Sequence, residues 1–471
     1  MKRLSKKLAI LVLLSFGMGS AVADNQTTAL SPVLPQDTLP FHIQIQQANF
    51  QLPTGLQAFV FGVYRGQWII LAGRIDGLHA FNGPSFPPSG QNRSIYVINP
   101  ASGAITSRSL TDPASGLNQQ QIDTLSTTFA AFYQEGNTLY MSGGYGIDTA
   151  SGTFSTKPVL TAINLPGIIQ WVTQPGNRNN SVAKNIRQIN NPTFQISGGK
   201  MAKLGNMTQL IFGQNFTGPY TSAANGNYSE QIRQFQITNA GGQLGFTLYP
   251  SIPSVPNPNF RRRDLNVMPV MLDVNNILQY GFVAFAGVFT ETSGAWTVPV
   301  FLTQNSDPIM PDPNADATFK QAMSQYQCAT TNLYSRRTSS TYNIFLGGIT
   351  YGFFQNGVFQ TDAELPFTNQ ITTIKMDKNN NFTQYIMDGE YPAIPSRGID
   401  PGNNLLFGAA AFFIPANILQ YPNSIINFDS IRQPTVIGYV VGGIMSTVPN
   451  TVTDDETTAS PYVFQVTLVP S

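Results

Sequence analysis

The sequence predicts an all-β fold, a six-bladed β-propeller of four-stranded antiparallel blades, and three observations predict it. A short apolar strand running into glycine recurs six times: WIILAGRID (68–76), TLYMSGGYG (138–146), TQLIFGQNF (208–216), FVAFAGVFT (282–290), NIFLGGITYG (343–352) and GYVVGGIMS (438–446). The last glycines of these stretches, at 73, 144, 213, 287, 348 and 443, lie 71, 69, 74, 61 and 95 residues apart. Spacing of that kind marks a repeated supersecondary unit that buries its apolar face only against its neighbours. The third observation is an accounting of strands. The last repeat is one strand short, and an alternating strand at 41–52 (FHIQIQQANFQL) is one strand over. Pairing that strand with the chain's last one, 462–469, closes the ring and removes the exposed sheet edges.

Each blade reads as strand, tight turn, glycine-ended strand, longer polar loop, strand, turn, strand. The first (56–111) runs LQAFVFGVY, WIILAGRID, SIYVINP and AITSRSL, with turns at Arg65-Gly66 and Ser102-Gly103. The second (124–176) runs LSTTFAAFYQ, TLYMSGG and VLTAINL, then turns at Pro166-Gly167 into IIQWVTQ (168–174) as its outer strand. The third (194–250) and fifth (326–388) follow the same order. In the fourth (266–305) the last strand is weakly readable. The sixth (403–469) starts at 405–414, makes a long excursion over 415–434, and ends with YVFQVTLV. TFKQAMSQY (318–326) is the one stretch expected to form a helical turn.

Residues 1–23 read as a signal peptide: a basic Lys2, Arg3, Lys6 and Lys7, an apolar run over 8–16, and a small-x-small site at Ala21-Val22-Ala23 before Asp24. Export to the periplasm or the outside of the cell follows. Residues 24–40 read as a flexible leader, and 41–471 as a single domain. Of the 471 residues only 10% are charged, and net charge is +1, so there is no global field to hold a nucleic acid. The apolar run is too short for an integral membrane anchor. The one cysteine, Cys328, reads as a buried small side chain in a monomer that uses no disulfide.

Apolar strand, Gly-Gly, loop and second strand together resemble the kelch repeat, over residues 41–469. Full glycine pairs stand at 143–144, 347–348 and 442–443, with single glycines at 73, 213 and 287; the downstream Tyr and Trp of that family are mostly missing. The resemblance extends to the central domain of galactose oxidase. That copper enzyme needs two His, two Tyr and a Tyr–Cys crosslink, whereas this chain has two His in all and no matching motif. No metal and no other cofactor is expected. A kelch-type sialic acid mutarotase, which is exported and six-bladed, is the nearest enzymatic resemblance, and none of its catalytic residues maps onto this sequence.

In such a blade the glycines serve close backbone packing, and function falls to the loops beyond them. Scarce charges gather on that long-loop face: Arg74, Asp76, His79, Arg261, Arg263, Glu291 and Arg397 are the candidate ligand-binding residues. Arginine forks suit two-oxygen anions, but Arg261-Arg262-Arg263-Asp264 equally suits a salt-bridged lock, and a lone His79 equally suits packing. The sequence thus points to a binding module for a protein or a glycan. The alternative is a metal-independent sugar-modifying enzyme of the mutarotase kind, with a carboxylate such as Asp76 or Glu291 as acid or base.

Overall fold

The computed structural model describes residues 29–80, 85–220, 226–274, 277–291, 294–304, 306–397 and 400–471. The expected signal peptide and the first part of the leader lie outside them. The chain is all-β, built of many small antiparallel sheets. Among the described residues no helix is long and apolar enough to cross a membrane.

Six of the sheets follow one another along the chain. The first is Val60–Tyr64, Gln67–Leu71, Ser94–Asn99 and Ala104–Ser109, each strand pairing with the next. The second is Ala131–Glu135, Thr138–Ser142, Val159–Asn164 and Ile186–Asn190. Lys200–Leu204, Met207–Ile211, Ile232–Ala240 and Gln243–Ile252 make the third. The fourth has three strands, Asn266–Val274, Ile277–Phe285 and Val300–Leu302. The fifth is Ala329–Ser335, Ser340–Ile349, Phe367–Met376 and Phe382–Glu390. The sixth joins Phe412–Pro415, Thr435–Val441 and Val463–Pro470 to the early strand Phe41–Gln47. That last pairing is antiparallel and runs from Phe41 opposite Pro470 to Gln47 opposite Phe464.

Apolar residues on both faces of these sheets make clusters between consecutive ones. Ile69 and Val97 of the first sheet pack with Phe132 and Ile163 of the second, and Tyr140 of the second with Met201 and Phe235 of the third. Ile211 meets Val267 and Phe282; Met268 and Val283 meet Phe345 and Ile374. Tyr342 and Ile344 of the fifth sheet pack with Val440 and Phe464 of the sixth. A further cluster joins Ile414 and Val441 of the sixth to Trp68 and Ile70 of the first.

Just before the first strand of each sheet one residue turns the chain in left-handed conformation. These are Ala58, Phe129, Gly198, Asp264, Gln327 and Ala410, with φ between 47° and 67°. Five hydrogen bonds link their peptides. Phe129 N–H donates to Ala58 O (3.4 Å), Gly198 to Phe129 (3.1 Å), Asp264 to Gly198 (2.7 Å), Ala410 to Gln327 (2.6 Å) and Ala58 to Ala410 (2.9 Å).

Four local expectations need correction. Residues 168–174 are not a strand. They belong to the helix Leu165–Thr173, whose N-terminus is capped by the Asn164 side chain accepting from Gly167 N–H. Leu165, Ile168, Trp171 and Val172 are its buried residues, the last three at the i, i+3, i+4 spacing of a helix face, and Arg108 stacks on Trp171 at 4.3 Å. The outer strand of that sheet comes later, at Ile186–Asn190, so the second unit extends past 176. Residues 318–326 form no helix. Gln321, Ser324 and Gln325 are buried there, and Gln325 Nε2 donates to the carbonyls of Gly347 (2.7 Å) and Gln370 (2.9 Å), a role that extended backbone serves better. The stretch 405–414 is two strands, Leu406–Ala409 and Phe412–Pro415, broken at Ala410.

The leader, finally, is not flexible throughout. Val33–Pro35 pairs in parallel with Gln384, Tyr385 and Ile386, and Gln36 is buried with its amide shared between His42 Nδ1 (2.7 Å) and Asp388. Gln36→Ala is therefore expected to lose about 1–2 kcal/mol of stability, read as a lowered urea midpoint; an unchanged midpoint would mean that the clasp contributes nothing.

Candidate functional site

The residues preceding four of the six left-handed turns line the same region. Gln57, Thr128, Ser197 and Arg263 line one cavity of about 100 Å³, together with Phe129, Gly198, Asp264 and Gln327 from the turns themselves. That space is several times the roughly 10–15 Å³ that one water needs. Each of the four also bridges to the residue after a glycine motif or close to it: Gln57 to Arg74, Thr128 to Tyr145, Ser197 to Gln214, and Arg263 to Val288. The repeated backbone thus delivers a different side chain to the same place from each unit.

Aromatic rings wall the cavity. Tyr220 lies 5.2 Å from Phe216, 5.3 Å from Phe86 and 5.7 Å from His79, and Tyr145 lies 5.6 Å from Phe216 and 5.8 Å from Phe86. Tyr145, from the TLYMSGGYG stretch, donates its hydroxyl to Gly218 O (2.8 Å) and accepts from Tyr220 N–H (3.1 Å). It anchors the loop that carries Tyr220, and burial pushes its phenol up to about 12. Burial lowers the pKa of His79, the Ala80 carbonyl opposing, so the imidazole at the cavity wall is held toward its neutral form.

Arg263 is the guanidinium of the site. It is 9% exposed; one nitrogen donates to Gln214 Oε1 (2.9 Å) and another to the Tyr220 hydroxyl (3.1 Å), and Nε stands 3.5 Å from Asp264 Oδ2. Burial works against its charge, but the Asp264 carboxylate, then Tyr228 and Tyr220, outweigh it, and its pKa lies above the usual arginine value. The neighbouring carboxyl moves the other way from an ordinary ion-paired acid. Burial raises the Asp264 pKa, and Arg263 only partly offsets the rise.

The other expected residues take different places. Arg74 is 2% exposed and forms a two-pronged ion pair with Asp76, with Nε to Oδ1 at 2.7 Å; it also donates to Pro87 O (3.0 Å) and stacks on Phe86 at 5.1 Å. The pair holds Phe86 against the cavity rather than entering it. Arg262 is fully buried beneath Trp296 at 4.5 Å, donating to Val298 O (2.8 Å), and burial lowers its pKa to about 9. Arg261 stacks on Tyr228 at 4.1 Å. Glu291 and Arg397 are exposed and do not line the cavity. The expected concentration of charge therefore reduces to Arg263, Asp264 and His79.

What the charge pattern misses is a set of neutral groups. Gln57 Oε1, Thr128 Oγ1 and Gln327 Nε2 are buried and make no hydrogen bond within the protein, although all three residues line the cavity. Buried polar atoms are nearly always paired, so three unpaired ones, an acceptor, a hydroxyl and an amide donor, on residues of one concavity set it apart. Their only signal in the sequence is position, immediately before each first strand or one residue on. Cys328 is buried, and burial pushes its thiol up to about 12, which keeps it from acting as a thiolate. No group of three or more His, Cys, Asp or Glu able to hold a metal occurs among the described residues.

No family model matches the chain, and no curated protein matches it. Among solved structures, one titled "Structure of YjhT" is similar with a TM-score of 0.45 and 10% identity, covering 89% of this chain and 98% of that chain.

Proposed function

We propose that this protein is an exported, monomeric, kelch-like six-bladed β-propeller that binds a glycan in the aromatic cavity at its centre. Six consecutive meanders, the succession of linked left-handed turns and the pairing of Phe41–Gln47 with Val463–Pro470 support the six-bladed reading. Export rests on the signal-like character of residues 1–23.

The observation that carries the functional reading is the coincidence, in one concavity, of aromatic walls with unpaired Gln57, Thr128 and Gln327 groups. Sugar rings present apolar C–H faces to aromatic side chains and hydroxyls to amides and carboxylates, which is the combination offered here. A recessed set of polar groups fits a glycan end better than a flat protein surface does. Since the charge of Arg263 is already answered by Asp264 and each of its nitrogens has a partner in Gln214, Tyr220 or Asp264, the site favours neutral sugars over acidic ones. The second reading, a sugar-modifying enzyme resembling the kelch-type mutarotase, draws on Asp264. A carboxyl with a pKa raised by burial suits proton transfer to a ring oxygen, and acceleration of anomer exchange, followed by NMR, would favour it.

A glycan array probed with the wild-type protein and with Gln327→Leu tests the binding reading. Since Gln327 Nε2 has no partner to lose, the substitution should leave stability unchanged while weakening the bound glycan about ten-fold, equivalent to about 1.4 kcal/mol. No glycan bound by the wild type, or equal binding by the variant, would overturn the assignment.

A further inference from the structure

A second and larger chamber lies beyond the left-handed turns. Phe129, Gly198, Asp264 and Gln327 line both spaces, so these residues form a shared partition. The second chamber, about 190 Å³, runs along the innermost strands, and six chain segments contribute to it in turn, beginning at Ala58, Phe129, Gly198, Asp264, Gln327 and Ala410. Half of its lining residues are alanine or phenylalanine, with Asn266, Gln327 and Thr330 among the rest. Phe61, Phe132 and Phe412 pack mutually with ring centroids 5.3 Å, 5.8 Å and 5.3 Å apart.

One cation stands among them. Lys200 opens the first strand of the third sheet and lines the chamber, with Nζ 5.3 Å from the centre of the Phe132 ring. It joins none of the ion pairs formed among the described residues. The other charged residue lining the chamber, Asp264, is turned to Arg263. Lys200 is half-buried, and burial lowers its pKa. The contact with Phe132 contributes about 0.5–1 kcal/mol at a partly exposed site. A half-buried ammonium that joins none of the ion pairs among the described residues, set beside phenyl rings in a chamber with room for a guest, suits a ligand that carries both an anion and an apolar body.

We infer that this chamber binds a small monocarboxylate with an apolar body, its carboxylate paired with Lys200 and its hydrocarbon part against Phe61, Phe132 and Phe412. The alternating arrangement of one charge and several rings selects for such a molecule. An inorganic anion would leave the phenyl walls unfilled, and an uncharged hydrocarbon would leave the ammonium unpaired. The site is separate from the glycan cavity, since Tyr220, His79 and Phe86 do not line it.

Titration calorimetry with hexanoate and with hexanamide on the full chain tests this. Wild-type protein should bind hexanoate at least about ten-fold more tightly than the amide. Lys200→Met, which keeps the unbranched stem, should lose that preference, and Lys200→Arg should retain most of it. Tyr220→Ala should leave hexanoate binding unchanged, so that failure here and failure of the glycan reading give different patterns. Equal affinity for hexanoate and hexanamide in the wild type, undiminished hexanoate binding by Lys200→Met, or no hexanoate binding would each overturn the inference. The wild-type comparison of acid with amide decides the matter even if Lys200→Met does not fold.

Discussion

Arg263→Met is expected to destabilise the fold by about 3–5 kcal/mol near neutral pH, the cost of breaking a buried ion pair from one side. The guanidinium joins Gln214, Tyr220 and Asp264 across two loops and the entry to the fourth sheet. Removing it leaves the Asp264 carboxylate with no counter-charge. That carboxyl is 19% accessible, and it lines both chambers, so screening by bulk solvent is slight. Its folded-state pKa is already raised above the unfolded value, and losing the one influence that lowers it raises it further. A carboxyl whose folded pKa is raised binds its proton more tightly in the native state. Its stabilising contribution is therefore full below the unfolded pKa and is lost as pH rises through the folded pKa. The variant should approach wild-type stability in mildly acidic buffer and fall away from it toward neutral and alkaline pH. Urea midpoints measured across that range check the expectation, and a loss of equal size at every pH would refute it. Adding Asp264→Asn to the variant should recover most of the deficit, because asparagine keeps the left-handed turn without the charge.

A comparable loss, about 3–4 kcal/mol, is expected for Gly144→Ala. Gly144 has φ of +80°, and a Cβ there would stand 2.4 Å from Thr127 Oγ1 and 2.9 Å from Ala130 Cβ. Left-handed backbone costs a residue with a side chain about 1–2 kcal/mol, and overpacking adds about 1–3 kcal/mol. Gly136→Ala is the control. It also has positive φ, 55°, yet nothing lies within 4 Å of its Cβ position, and its cost should stay near 1 kcal/mol. Urea unfolding of the two variants side by side separates conformational strain from collision; equal losses would show that packing against Thr127 is irrelevant.

That contrast also explains how the repeat could be read. In each motif the last glycine has positive φ, from Gly144 at 80° to Gly348 at 103°, whereas the position before it accepts Ala72, Phe212 and Ala286. Both positions are left-handed, with φ of 60°, 55° and 49° at Ala72, Phe212 and Ala286, but only the second is glycine in every unit, and that residue is legible. Strand alternation made the sheets legible for the same reason, since burial on a pleated surface imposes a period of two. The period failed where the chain changes geometry without changing composition. Ile168, Trp171 and Val172 read as well in a strand as in the helix they form, and nothing local distinguishes the two. Arg263 and His79 could be singled out because charge is scarce in this chain. Arg74 could be singled out too, but its ion pair with Asp76 two residues away turns it into a brace for Phe86. Gln57, Thr128 and Gln327 were illegible as site residues, because an unpaired amide or hydroxyl is defined by what surrounds it and those surroundings come from distant units.

The strand Phe41–Gln47 pairs along its whole length with Val463–Pro470, and this fixes the order in which the molecule can be completed. Phe41, Ile43 and Ile45 are buried against the fifth and sixth sheets, so they have no partner until the last strand of the sixth sheet exists. The first three sheets are built from neighbouring segments and can form while synthesis continues. The sixth cannot, because it joins segments more than 400 residues apart, and closing so long a loop is the slow and aggregation-exposed step of a β-rich chain. The apolar face of Phe41–Gln47 therefore stays unpaired until Val463–Pro470 is present to cover it.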